Sequence, residues 1–329
     1  MRSATPLKIG VIGVGKMGAL HLAKYIGLTG VDVVGVYDSN VEAARRATTT
    51  FNVKAFSTVE ELLFEADAVS IATSTESHHH VAKRAFEAGV HVLLEKPIAE
   101  TVEQAQDLCK IARERGLVFQ IGFVERFRYR VLSRTLSQAK VLFVESDRLS
   151  RAVGRESQID VVSDLMIHDL DLALSIIGEE PSSISAIGLP VVTPLVDVAN
   201  ARLEFPGGAV VNLNASRVSD KPMRKFRVFS LEHYASVDFM LNSVDIARRG
   251  LDAKVEHMSL EYSELDALRD QCMQFVECVQ RGGVPIVTGE DGLRALRVVK
   301  SIKEHIADRM ALRTGAARLG LKPEAPSLN

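Results

Sequence analysis

The chain has 329 residues, with 40 basic and 42 acidic side chains and a net charge of −2. That balance excludes a nucleic-acid binder that relies on bulk positive charge, and the length leaves room for two domains. No stretch approaches the ~20 consecutive apolar residues of a membrane helix. No long apolar segment of leader type follows Met1, so a cytoplasmic protein is expected. Cys109, Cys272 and Cys278 have no zinc-binding spacing and are expected as small apolar residues on helices in a reducing compartment.

From the N-terminus, short apolar runs at 8–13, 31–37, 68–73, 91–95 and 118–122 read as strands. Amphipathic stretches at 17–27, 59–64, 79–88 and 102–115 separate them and read as helices. This alternation predicts a parallel sheet with helices on both faces. After Gly122 the pattern changes. Runs at 141–145, 199–205, 210–215, 226–230 and 235–238 predict a mixed or antiparallel sheet, with Pro206-Gly207-Gly208 as a hairpin turn. Helices are expected at 163–177, 265–281 and 292–310, followed by a loosely ordered tail. The expected division is a dinucleotide-binding domain over 1–122, a substrate-binding and oligomerisation domain over 123–310, and a tail over 311–329. The fold class is α/β, a doubly wound parallel sheet plus a second α/β domain with an open, mostly antiparallel sheet.

Gly13-Val14-Gly15-Lys16-Met17-Gly18 follows a strand and opens a helix. That is the context in which a G-x-G-x-x-G turn brings helix N–H groups to a pyrophosphate. Gly13, Gly15, Lys16 and Met17 are the expected contacts. Asp38 closes the next strand 20 residues after Gly18. A carboxylate there accepts from a ribose 2′-OH and repels a 2′-phosphate, which favours NAD over NADP. Ser39 and Asn40, not a basic residue, follow it. Thr73 and Ser74 end a strand on the ligand side. His78, His79 and His80 point in three directions on a helix, so they form no single metal cluster; His78 is placed by the cofactor and the other two in solvent.

Glu95-Lys96-Pro97 ends another strand on the same side. An ammonium at that edge favours a developing alkoxide, although Lys96 also reads as an ordinary surface lysine. Asp164, His168 and Asp171 stand at i, i+4 and i+7, one helix face. A histidine beside a carboxylate is an orientable base, while a capping aspartate next to a core histidine gives the same spacing. Nothing completes the set as a metal site, so no metal is expected.

Together these residues resemble the Gfo/Idh/MocA oxidoreductases, over almost the whole chain. The resemblance implies oxidation or reduction at a sugar or cyclitol carbon by a homodimer or homotetramer. It implies that Lys96 polarises the reacting oxygen, His168 is the general acid/base, Asp164 positions substrate or tunes His168, and Arg126 shapes the pocket. Glu95 is counted with the cofactor contacts. Ser74 departs from the proline common in the family, with no chemical role lost. Residues 123–127, 160–169 and 214–219 are similar to the branch that oxidises UDP-sugars. That implies reaction at C3 of a UDP-amino sugar such as UDP-N-acetylglucosamine, giving a ketone that an aminotransferase takes onward in lipid A-type synthesis. A pyrophosphate needs cations, and Arg217, Lys221, Arg224, Lys225 and Arg227 form a basic run. Arg217 is the expected substrate contact there; a solvated strand edge is the competing account. An inositol or free-sugar dehydrogenase and a non-catalytic NAD-binding regulator are the alternatives.

Overall fold

The computed structural model describes residues 5–128, 140–151, 159–250, 254–261 and 266–318. The chain forms two compact units, one from Met1–Thr135 with Tyr262–Arg297, the other from Leu136–Glu261 with Val298–Asn329. The units are therefore not two consecutive stretches: a chain cut at residue 122 would separate 262–297 from the unit in which they lie.

The first unit carries β1 (Leu7–Ile12), α1 (Lys16–Ile26), β2 (Val31–Tyr37), α2 (Val41–Phe51), α3 (Val59–Glu65), β3 (Ala68–Ile71), α4 (Thr75–Glu87), β4 (His91–Leu94), α5 (Val102–Glu114) and β5 (Phe119–Ile121). The five strands are all parallel, in the order β2-β1-β3-β4-β5. β3 is buried at all four positions and β4 at three of its four, as strands covered on both faces must be. This is the doubly wound sheet expected from the sequence.

Helix α2 was not expected. Its inner face is Ala43, Ala44 and Ala47, too small to register as an apolar stripe. Asn40 starts it by accepting hydrogen bonds from the N–H groups of Glu42 and Ala43. Cys109 lies on α5, and burial pushes its thiol up to about 12, which makes it unreactive.

The second unit carries β6 (Val141–Arg151), a π-helical turn (Val162–Met166), α6 (Ile167–Ile177), β7 (Ser183–Leu189), β8 (Val198–Glu204), β9 (Val210–Ser216), β10 (Val218–Ser230), β11 (His233–Asp238), β12 (Ser243–Arg249) and β13 (Val255–Glu261). Among the described residues its sheet has eight strands, in the order β13-β12-β11-β10-β6-β9-β8-β7. Only β6 and β9 run parallel; the other pairs are antiparallel. β8 alternates buried and exposed positions, and α6 packs against β6 and β9. β7, β12 and β13 were not anticipated. β13 is exposed along nearly its whole length, so it lacks the alternation that marks a half-buried strand.

Helix α7 (Ala267–Arg281) adds Cys272, Phe275 and Val276 to the first unit's core, against Leu22 and Tyr25 of α1. Gln120 on β5 donates to the Gln271 carbonyl at 3.1 Å. Helix α8 (Gly289–Arg318) is the last element. It starts earlier and ends later than expected from the sequence; of the proposed tail, 319–329 lie outside the described residues. No helix among those described is long and apolar enough to cross a membrane.

Candidate active site

The glycine turn sits where β1 meets α1. Gly13 has φ of 82°, a left-handed conformation, and a Cβ there would lie 2.8 Å from the backbone of Ala72 and Thr73. Only glycine meets both demands. At Gly15 a Cβ would meet nothing within 4 Å. The turn is thus closed beneath and open above, as close approach by a pyrophosphate requires. Lys16 and Met17 begin α1 just after Gly15.

Asp38 anchors the turn from β2. Its Oδ2 accepts the Val14 N–H at 2.8 Å and its Oδ1 the Asn40 N–H at 2.8 Å. Each carboxylate oxygen keeps a second lone pair. A cavity of about 400 Å³ opens here, with Gly13, Gly15, Asp38, Ser39, Thr73 and Ser74 in its wall. These residues fit a dinucleotide: open space over Gly15, a helix N-terminus, and a ribose-binding carboxylate.

His78 is held inside the fold, beside the cavity-lining Thr73. It is 1% exposed, with Nδ1 2.8 Å from the Pro97 carbonyl and Nε2 3.2 Å from the Thr73 carbonyl. Burial lowers its pKa, so the ring is neutral and donates to one carbonyl at a time. It ties two strand ends together from behind. His80 is exposed, as expected, and also lines the cavity. His79 is bound by Asp107 at 2.9 Å.

Glu95 and Lys96 follow β4. Glu95 is 8% exposed. Its Oε2 accepts the Lys96 backbone N–H at 3.3 Å, and its Oε1 lies 3.1 Å from His21 Nε2. His21, on α1, has Nδ1 2.6 Å from the Ser70 hydroxyl of β3. Sequence reasoning missed this cluster. The available signal was one serine in an otherwise apolar strand, Ala68-Val69-Ser70-Ile71.

In the second unit, Asp164 lies within the π-helical turn and His168 in the first turn of α6. Both are half-buried. The Nδ1 atom of His168 is buried. Asp171 does not share their exposure and is 1% exposed. A π-turn inside a helix is uncommon and frequently marks a functional site. Two devices hold it. Asp160 accepts the Ser163 N–H at 2.9 Å and Lys303 Nζ at 2.8 Å. Burial opposes its charge, yet those partners hold its carboxyl below the ordinary range. Arg148 on β6 grips Asp169 through two hydrogen bonds of 3.0 and 2.7 Å, with both side chains under 5% exposed.

Two expected substrate contacts have partners within the fold. Arg217 is 2% exposed. Its Nε lies 3.7 Å from Asp197 and its Nη2 donates to the Ile159 carbonyl, so its charge is spent inside the fold. Arg126 donates to Asp291 at 3.1 Å and to the Ile286 carbonyl at 3.4 Å, which makes it a tie to the start of α8. Of the remaining basic run, Lys225 pairs with Asp238, and Arg227 pairs with Asp147 and Glu145. Lys221 and Arg224 are exposed. Among the described residues no group of three His, Cys, Asp or Glu is placed to hold a metal.

Comparison with known proteins agrees with this architecture. Residues 7–123 match the model of an oxidoreductase family with an NAD-binding Rossmann fold, and residues 121–232 match the GFO/IDH/MocA C-terminal domain. The chain belongs to the Gfo/Idh/MocA oxidoreductases and is a dehydrogenase-type enzyme of that family. It is 37% identical over 303 residues to the UDP-N-acetylglucosamine 3-dehydrogenase of Acidithiobacillus ferrooxidans, covering 90% of this chain and 96% of that one. A solved structure of that enzyme superposes with a TM-score of 0.87 at 36% identity, over 92% of this chain and 98% of the other. A scyllo-inositol 2-dehydrogenase (NAD(+)) of Bacillus subtilis is 26% identical over 322 residues, 89% of this chain and 92% of its own length.

Proposed function

We propose that the protein oxidises a sugar-ring hydroxyl to a ketone with NAD, at C3 of a UDP-amino sugar such as UDP-N-acetylglucosamine. The observation that carries this reading is the 37% identity, over nine-tenths of the chain, to an enzyme of that activity. The site residues supply the chemistry. Gly13, Gly15, Lys16, Met17, Thr73 and Ser74 hold the dinucleotide. Asp38 takes the ribose hydroxyls and excludes a 2′-phosphate, which makes NAD the cofactor. Bound NAD supplies the hydride acceptor. Lys96 holds the reacting oxygen and stabilises negative charge as it develops. His168 takes the hydroxyl proton at Nε2, since Nδ1 is buried. Asp164 orients the substrate or that imidazole. We further propose the cytoplasm as its location, a homodimer or homotetramer as its assembly, and an aminotransferase as the consumer of its ketone.

An inositol or free-sugar dehydrogenase is the second reading. It is favoured by one observation: three of the five basic residues first read as a pyrophosphate site form ion pairs within the fold. The test incubates the purified protein with NAD and, in parallel, UDP-N-acetylglucosamine, free N-acetylglucosamine or myo-inositol. NADH formation is followed with an amine trap, and mass spectrometry looks for a product two hydrogens lighter. A ketone from the UDP-sugar alone supports the proposal. Turnover restricted to a free sugar or inositol overturns it in favour of the second reading.

A further inference from the structure

The buried cluster behind Lys96 does work that the proposed chemistry leaves unassigned. It begins at Ser70, whose hydroxyl lies 2.6 Å from His21 Nδ1. It continues through His21 Nε2, 3.1 Å from Glu95 Oε1, and ends at the Lys96 backbone N–H, which donates to Glu95 Oε2 at 3.3 Å. His21 and Ser70 are wholly buried. Glu95 is enclosed from the other side by Gly122, where a Cβ would come within 2.5 Å of Glu95 Oε1 and 3.0 Å of Oε2. A buried carboxylate needs polar neighbours, and Glu95 finds two, the Lys96 N–H and the facing imidazole of His21. The contact of that imidazole with Glu95 Oε1 is at ion-pair distance without hydrogen-bond alignment at Nε2, and the Ser70 hydroxyl fixes the ring from the other side. Helix α1 and strand β3 thereby fix the segment from which the Lys96 side chain departs.

We infer that His21 is a positioning residue, which holds the Glu95 carboxylate and through it fixes the placement of Lys96. This rests on the reading of Lys96 as the group at the reacting oxygen. His21 touches no reacting atom. It acts by removing freedom from a segment whose misplacement by about 1 Å costs roughly 100-fold in rate.

Two substitutions separate the halves of the imidazole. His21→Asn keeps a polar atom near the Nδ1 position and loses the reach to Glu95. His21→Gln keeps a donor near the Nε2 position and loses Ser70. The expected result is a fall in kcat of about 10- to 100-fold for His21→Asn. KM for NAD and Kd for NADH should stay within about twofold of the native values, because a positioning defect acts on the reacting geometry rather than on uniform binding. His21→Gln should recover most of the rate. In a Lys96→Ala background, His21→Asn should lower kcat no further, because the two act as one unit. Equal losses in the Asn and Gln variants, or a full additional loss in the Lys96→Ala background, overturn the inference. Full activity of Lys96→Ala alone overturns the role proposed for Lys96 itself, a distinct result. If His21→Asn does not fold, Glu95→Asp withdraws the same charge from His21 by one methylene, and the same cycle is run with it. A rate unchanged by Glu95→Asp then overturns the inference.

Discussion

The two sheets handle buried charge in opposite ways. The strands of the parallel sheet are mostly apolar, with few buried polar side chains: Ser70 on β3, which meets His21 and through it Glu95, and Gln120 on β5, which bonds the Gln271 carbonyl. The antiparallel sheet distributes charge along its length. Arg148–Asp169 and Arg217–Asp197 are buried pairs, and Arg227 bridges Glu145 and Asp147 on the neighbouring strand. The cause is topological. Helices covering both faces leave the interior of the first sheet mostly apolar, whereas β6, β8, β10, β11, β12 and β13 of the second sheet carry charged residues. In the first unit a charged side chain can stand beside the site, as Glu95 does next to Lys96, or brace the fold, as Arg126 does with Asp291. One in the second unit is frequently an internal brace, and for that reason most of an apparent pyrophosphate site resolved into ion pairs.

The largest losses are expected from removing the two side chains assigned to chemistry. Lys96→Ala and His168→Ala should each lower kcat by about 10³-fold or more, while NADH fluorescence still reports binding. Wild-type turnover in either variant would withdraw that residue from the mechanism. Next come the braces. Asp169→Ala strips the buried Arg148 guanidinium of the two hydrogen bonds to that carboxylate, and should cost about 3–5 kcal/mol in urea unfolding. Replacing both residues with apolar side chains of similar volume should restore most of that loss. An equally unstable double variant would show that packing, not charge, is at stake. Asp38→Ala should weaken NAD binding about 10- to 100-fold, the worth of hydrogen bonds to a charged acceptor, and narrow the preference over NADP. Titration with both cofactors measures it.

Smaller effects sharpen the distinction. Arg224→Ala should raise KM for a UDP-sugar about 3- to 10-fold with kcat unchanged, as loss of one exposed phosphate contact does. Arg217→Ala should instead lower Tm, since its guanidinium lies within the fold. The smallest effect is in acid. Burial opposes the charge of Asp197, but hydrogen bonds from Thr193, Val191 and Val192 prevail and hold its pKa at about 2, below the ordinary 3.8. A carboxylate depressed on folding contributes stability that is complete above its unfolded value and is lost as pH falls through the folded one. Asp197→Asn should therefore flatten the stability curve between about pH 4 and pH 2, read by thermal unfolding across that window.

The parallel sheet and its glycine turn were legible because their signals are local. Continuous apolar runs, a glycine at a left-handed position and an aspartate 20 residues on all lie within one stretch of chain. Helix α2 was not, because three alanines make a face without an apolar stripe. The outer strands β12 and β13 were lost with their exposure. The burial of Arg217 was not legible because it depends on Asp197 and on Ile159, 58 residues away. His21 escaped notice for the same reason, since its partner Ser70 is 49 residues distant. Charge and spacing name candidates; only tertiary partners decide which of them are already engaged.

The order of segments has a consequence for how such enzymes are recombined. The chain leaves the nucleotide unit after residue 135, returns to it at 262 and departs again after 297. An end-to-end chimera, with one protein's first half fused to another's second, would strand Cys272, Phe275 and Val276 away from Leu22 and Tyr25, which they cover. A transplant of specificity has to be made as a cassette: residues 136–261 and the 298–329 segment exchanged together, with the intervening 262–297 kept native. The cofactor module is thus a host with an insertion, and its seams lie at three places instead of one.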